Sequence, residues 1–197
     1  MPAYFSTYIV LLIISAAITF SASLTARKRK APGSSTLTAL LVALSMWSAF
    51  SAAQYIQEGF AAKFFWLNVM VVPVAAVPIL FMNFILKFSG NTVWFSRRTL
   101  SAFFVFSIAF LLLQWTNSYH HLVLSSVQLV EQDGFPVLEI QRGPIYFVNL
   151  ALAYSTVTIG TLTLMREALR ASNLYRNQYR LLLLGCIIPF AFSIYSQ

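Results

Sequence analysis

The sequence predicts an all-α protein: a polytopic helical membrane bundle of six spans, N-terminus outside, with a short β-hairpin in the outer loop between spans four and five. Three observations lead there. Of the 197 residues, 59% are hydrophobic and only 9% are charged, whereas soluble domains carry about 25% charged residues. Six stretches (1–26, 31–57, 64–86, 99–130, 143–165 and 181–197) contain no Asp, Glu, Lys or Arg, and a spanning helix needs about 20 mostly apolar residues. The basic residues fall in alternate connections, the pattern that orients a membrane protein. A transmembrane barrel would instead show alternating segments of about ten residues, and the sequence has none.

Span one is placed at Tyr4–Ser23. A cleaved signal peptide competes, favoured by the small residues Ser21-Ala22-Ser23. Against it, no basic side chain precedes the apolar run, and Arg27, Lys28, Arg29 and Lys30 follow at once, holding that end in the cytoplasm. Span two is Thr36–Tyr55 and span three Phe64–Leu86. Span three contains Pro73 and Pro78, which remove backbone donors and are expected to bend or break the helix. Span four is Thr99–Trp115, span five Pro144–Met165 and span six Tyr179–Ser196, the last interrupted by Pro189. Each proline is a candidate hinge or cavity wall, or else an ordinary transmembrane proline. Between spans four and five, apolar runs at Leu124–Val130 and Val137–Ile140 flank Asp133-Gly134, a hairpin signature. Pro136 opens the returning strand, and the hairpin could lie over the outer mouth as a lid.

Eleven of the thirteen basic residues lie on the inner connections: Arg27, Lys28, Arg29, Lys30, Lys87, Arg97, Arg98, Arg166, Arg170, Arg176 and Arg180. The outer connections hold only Lys63 and Arg142, with four of the five acids. This asymmetry explains the net charge of +8 without nucleic acid as a partner. The partner it implies is the lipid bilayer: the clusters act as topogenic signals, with headgroup binding as the competing role. With the N-terminus outside, six spans return the C-terminus to the outside with no polar tail, the mark of an interrupted chain.

Chemistry-bearing residues are few. The lone Cys186 excludes an intrachain disulfide, and no HExxH, CxxC or glycine-rich phosphate loop is present. No cofactor, metal site or catalytic residue is expected. The densest polar cluster runs from Gln114 through Trp115, Asn117, His120 and His121 to Leu122. Adjacent histidines diverge on a helix, which disfavours a shared metal. The remaining readings are one histidine as a pH-sensitive or ligand-contacting group in a pocket, or Asn117 and one histidine tying the loop to the helix ends. Within the spans, Gln54, Asn68, Asn83 and Asn149 are expected to hydrogen-bond between helices, a ligand pocket lined by some of them being an alternative that their spacing does not indicate.

Further features share a characteristic order: Trp47, then Pro78-Ile-Leu-Phe81 leading to Phe88-Ser-Gly90, then Trp115-Thr-Asn-Ser-Tyr-His-His-Leu122. Gly143-Pro144, Tyr154, Gln178, Leu181–Gly185 and Pro189 follow. Over most of 36–197 the chain resembles the N-terminal seven-transmembrane sensor region of bacterial and archaeal histidine kinases, also found ahead of diguanylate cyclases. The resemblance implies a multi-pass sensory input domain of the plasma membrane, signalling through a two-component system and dimeric in its full-length form. It implies no particular ligand; a small molecule or lipid is expected. The family's seventh helix and its cytoplasmic module have no counterpart here, so the chain reads as a fragment. A small transporter or permease subunit is the alternative, encouraged only by Pro73 and Pro78.

Overall fold

The computed structural model describes residues 3–90, 97–132, 134–170 and 182–183. Among these residues the order is α1 (Ala3–Arg27), α2 (Ser34–Ile56), α3 (Phe60–Ser89), α4 (Arg97–Trp115), α5 (Asn117–His120), β1 (Leu124–Gln132), β2 (Phe135–Arg142) and α6 (Pro144–Arg170). Helices α1, α2, α3 and α6 are long and apolar enough to cross a membrane, and Ser101–Trp115 within α4 is a shorter apolar segment. Span six with Pro189 lies outside the described residues, except that Leu182 and Leu183 are helical and pack against the core.

The helices overrun their charge-free windows. α1 continues to Arg27, α3 runs Phe60–Ser89 rather than Phe64–Leu86, and α6 runs to Arg170 rather than Met165. Absence of charge marks what hydrocarbon tolerates, whereas a helix ends where its backbone hydrogen bonds end. α3 stops at Gly90, which takes the left-handed conformation (φ 65°) that favours glycine. Lys63, expected in a loop, is therefore in the first turn of α3, and it is buried. The expectation of a break at the prolines also needs correction, because α3 runs through both Pro73 and Pro78. Pro73 is buried, and beside the carbonyl that Pro78 releases, the Ser107 hydroxyl of α4 donates to Ala75 O at 3.5 Å.

α3 packs against α2, α4, α6 and β2, while α1 packs against α2. Two apolar clusters share α3. One joins Leu40, Phe81, Phe84, Ile85 and Leu164. The other joins Leu67, Phe110 and Leu138 with Val123 and Leu124, the residues that lead into and open β1. Ser45 Oγ donates to Ala16 O at 2.9 Å, fastening α2 to α1. The connection between these helices folds onto the far end of α3, where a Cβ on Gly33 would lie 3.4 Å from the Phe84 ring. Arg27 to Lys30, all exposed, therefore share one end of the bundle with Lys87. Large exposed apolar side chains such as Ile18, Val105 and Leu112 line the outside, as a lipid-facing surface requires.

At Gly160 the α3–α6 approach is so close that an added Cβ would sit 2.7 Å from the Phe81 ring. Small residues permit such approaches between membrane helices. Replacing Gly160 with Leu is expected to destabilise the bundle by about 1–3 kcal/mol, measured by unfolding in mixed micelles.

Candidate functional site

The polar string at the end of α4 is divided among several duties. Gln114, buried, donates from Nε2 to Asn68 Oδ1 of α3 at 2.9 Å, an interhelical amide pair. Trp115 is half exposed and Tyr119 almost fully so. The Thr116 hydroxyl donates to Leu112 O at 2.8 Å as α4 ends. α5 then turns the chain through one short helical segment, an element with no signature in the sequence.

Asn117 is the centre of this turn. Its Oδ1 accepts the backbone N–H groups of Val123 and Leu124, both at 3.0 Å, and its Nδ2 donates to Leu124 O at 2.9 Å. One buried side chain thus fixes the start of β1 against the end of α4. His120 closes the same turn: its Nδ1 accepts the Leu122 N–H at 3.1 Å and its Nε2 lies 3.2 Å from Thr116 Oγ1. Since Nδ1 accepts, Nε2 carries the proton and donates to Thr116. His121 is exposed and caps α5 in the left-handed conformation (φ 52°), its N–H donating to Asn117 O at 2.9 Å. The two histidines therefore serve different ends, and among the described residues no three metal-ligating side chains converge.

The hairpin pairs Gln132 with Phe135 around Gly134 (φ 76°), leaving a two-residue turn, and pairs Leu124 with Arg142 at its base. Asp133 lies outside the described residues. Gly143 N–H donates to Val123 O at 2.8 Å, and Ile145 N–H donates to Leu122 O at 3.1 Å, stitching α6 to the hairpin base. A side chain at Gly143 would collide with the Leu122 carbonyl.

From that base the hairpin crosses the end of the bundle toward α2. Phe135, buried at the start of β2, places its ring 4.9 Å from Lys63 Nζ, a cation–π contact. The Lys63 ammonium also donates to Gln54 O at 3.3 Å and Tyr55 O at 3.4 Å, carbonyls that α2 leaves unpaired at its C-terminus. Beside it lies a cavity of about 200 Å³, lined by Gln54, Tyr55, Lys63, Leu67, Met70, Val137, Leu138 and Ile140. Sequence reasoning placed Lys63 in a loop and expected Gln54 to hydrogen-bond between helices; instead Gln54 lines this cavity, its side-chain amide unbonded among the described residues. The available signal was a lone lysine just after the short connection that follows the last turn of α2.

Comparison with known families settles what kind of chain carries this arrangement. Residues 10–197 match the family described as the N-terminal 7TM region of histidine kinase. The chain belongs to this family. The match extends the resemblance seen over 36–197 into most of α1. The 7TM region of histidine kinases is a membrane sensory input domain and is not itself catalytic. No curated protein and no solved structure matches the chain. Within this 7TM region, Asn117 and His120 of the Trp115–Leu122 string bond to the backbone of their own turn, Trp115 and His121 are exposed, and Pro78 lines a second crevice between α3, α4 and α6.

Two outcomes follow from the turn at Asn117. Asn117→Ala leaves two N–H groups and one carbonyl without that partner and is expected to cost about 2 kcal/mol or more, read from unfolding in micelles. His121→Gly relieves a left-handed residue and is expected to stabilise by about 1 kcal/mol in the same assay.

Proposed function

We propose that this 7TM region is the input stage of a sensor protein. It takes up a small-molecule or lipid signal at the hairpin end, which faces outward from a bacterial or archaeal plasma membrane. It passes that signal to a cytoplasmic histidine-kinase or cyclase module, and its working form is a homodimer. The observation that carries this reading is the family match over residues 10–197. The packing supports it, because the hairpin base, β2, α3 and α4 share one apolar cluster. A ligand that displaces the hairpin therefore also biases the helices, shifting populations by its differential affinity for the two arrangements. Pro73 and Pro78, both on α3, are the candidate hinges.

The outward placement of the hairpin is supported by the basic clusters at the opposite end of the bundle. In a Cys186→Ser background, Ser125→Cys is expected to react with an impermeant maleimide on intact cells, and Arg29→Cys only after permeabilisation. The reverse pattern overturns the sidedness. With a histidine-kinase module attached, replacing Asn117 and His121 together is expected to change autophosphorylation in membranes while the protein still inserts. Unchanged output removes Trp115, Asn117, His120 and His121 from the site.

A further inference from the structure

Lys63 is a buried cation, only 2% exposed, and among the described residues no carboxylate lies within ion-pair distance of it. Its partners are two neutral carbonyls at 3.3 and 3.4 Å and the face of Phe135. The exposed Glu58 carboxylate, in the connection between α2 and α3, attracts the ammonium from beyond ion-pair distance. A buried charge whose direct contacts are all dipoles is still costly, and this one borders a cavity. Gln54 lines the same cavity, and its side-chain amide makes no hydrogen bond among the described residues. The opposite walls are apolar: Leu67 and Met70 from α3, Val137, Leu138 and Ile140 from β2.

We infer that this cavity binds a small carboxylate with a short apolar body, its head on Lys63 Nζ and the Gln54 amide and its body against Met70 and the β2 side chains. Three features select that class. A single cation with two carbonyl oxygens beside it suits a monoanion; a dianionic phosphate would bring excess negative charge against those carbonyls. The cavity, at about 200 Å³, falls below the range of about 300–1,000 Å³ typical of drug-sized ligands. Beyond Lys63 and Gln54, and apart from Tyr55, whose hydroxyl pairs with Tyr8, the rest of its lining is apolar. The carboxylate accepts from an ammonium now shared between the α2 carbonyls and the Phe135 ring. Occupancy therefore loosens the tie between α2, α3 and the start of β2.

This inference rests on the reading of the chain as an input region and specifies its ligand. The test uses the full chain in lipid nanodiscs, titrated calorimetrically with hexanoate, with empty discs as the blank. Hexanoate is expected to bind at least about tenfold more tightly than hexanol, which has the same body without the charge, a difference typical of one charge-assisted hydrogen bond. Lys63→Met, which keeps the stem and removes the charge, is expected to weaken hexanoate by a similar factor. Because Lys63 also caps α2, Val137→Trp provides an independent check: it fills the cavity from β2, leaves Lys63 in place and is expected to abolish binding. Equal affinity for hexanol and hexanoate, or unchanged binding to Val137→Trp, overturns the site. Palmitate dissolved in the disc either displaces hexanoate, assigning the carboxylate to the membrane, or fails to, assigning it to the aqueous phase; both results support the site. Hexanoate binding without any response from an attached kinase module supports the site and overturns the input reading instead. A kinase that responds to another stimulus while hexanoate fails to bind does the opposite.

Discussion

Backbone groups that cannot reach water dictate how the hairpin end is built. Four carbonyls at the end of α2 and the first amides of β1 need partners from within the chain. Side chains a few residues along the chain, some of them on the next element, supply them. Lys63 serves Gln54 and Tyr55, the Gln57 side chain donates to Ala53 O at 3.3 Å, and Asn117 serves Val123 and Leu124. Once these bonds are made, the positions of α2, α3, α4 and the hairpin are no longer independent. The apolar contacts of Leu67, Phe110 and Leu138 then fill a space whose walls are already set.

The most informative polar residues are consequently those that do not face solvent. Lys63, Gln114 and Asn117 are all buried, and each bonds across elements that the chain connects only by a turn or a loop. His120 belongs with them as a local brace, whereas Trp115, Tyr119 and His121 lie at the surface. Bracing side chains and exposed ones are thus separated within a run of a few residues. A cluster that reads as one site in the sequence is a scaffold with an exposed rim.

Much of the architecture was legible because lipid imposes a simple rule on composition. Charge-free runs located the described helices, and the Asp133-Gly134 pair between apolar runs located the hairpin, whose strands begin and end within a few residues of the expected places. Helix ends were less legible, since Lys63 and Arg27 lie inside helices that charge counting had closed. The prolines misled only as to a break: each withdraws one backbone donor from a helix that packs against α2, α4 and α6, and α3 continues through both. The tie made by Asn117 and one histidine was among the readings considered. A pocket lined by Gln54 was an alternative too, but its place beside Lys63 was not legible, because it is formed by residues from three elements, with Gln54 and Ile140 more than eighty positions apart.

The close approach at Gly160 has a mechanical meaning. Phe81 touches α6 there, so α3 has a fulcrum well away from its middle. Lys63 lies eighteen residues to one side and Phe88 seven to the other, giving arms of about 27 Å and about 10 Å at a helical rise of about 1.5 Å per residue. Pro73 and Pro78 both sit on the long arm. A rigid α3 turning about that contact would reverse sideways movement at the hairpin end and reduce it about threefold at the far end, less whatever the two prolines absorb by flexing.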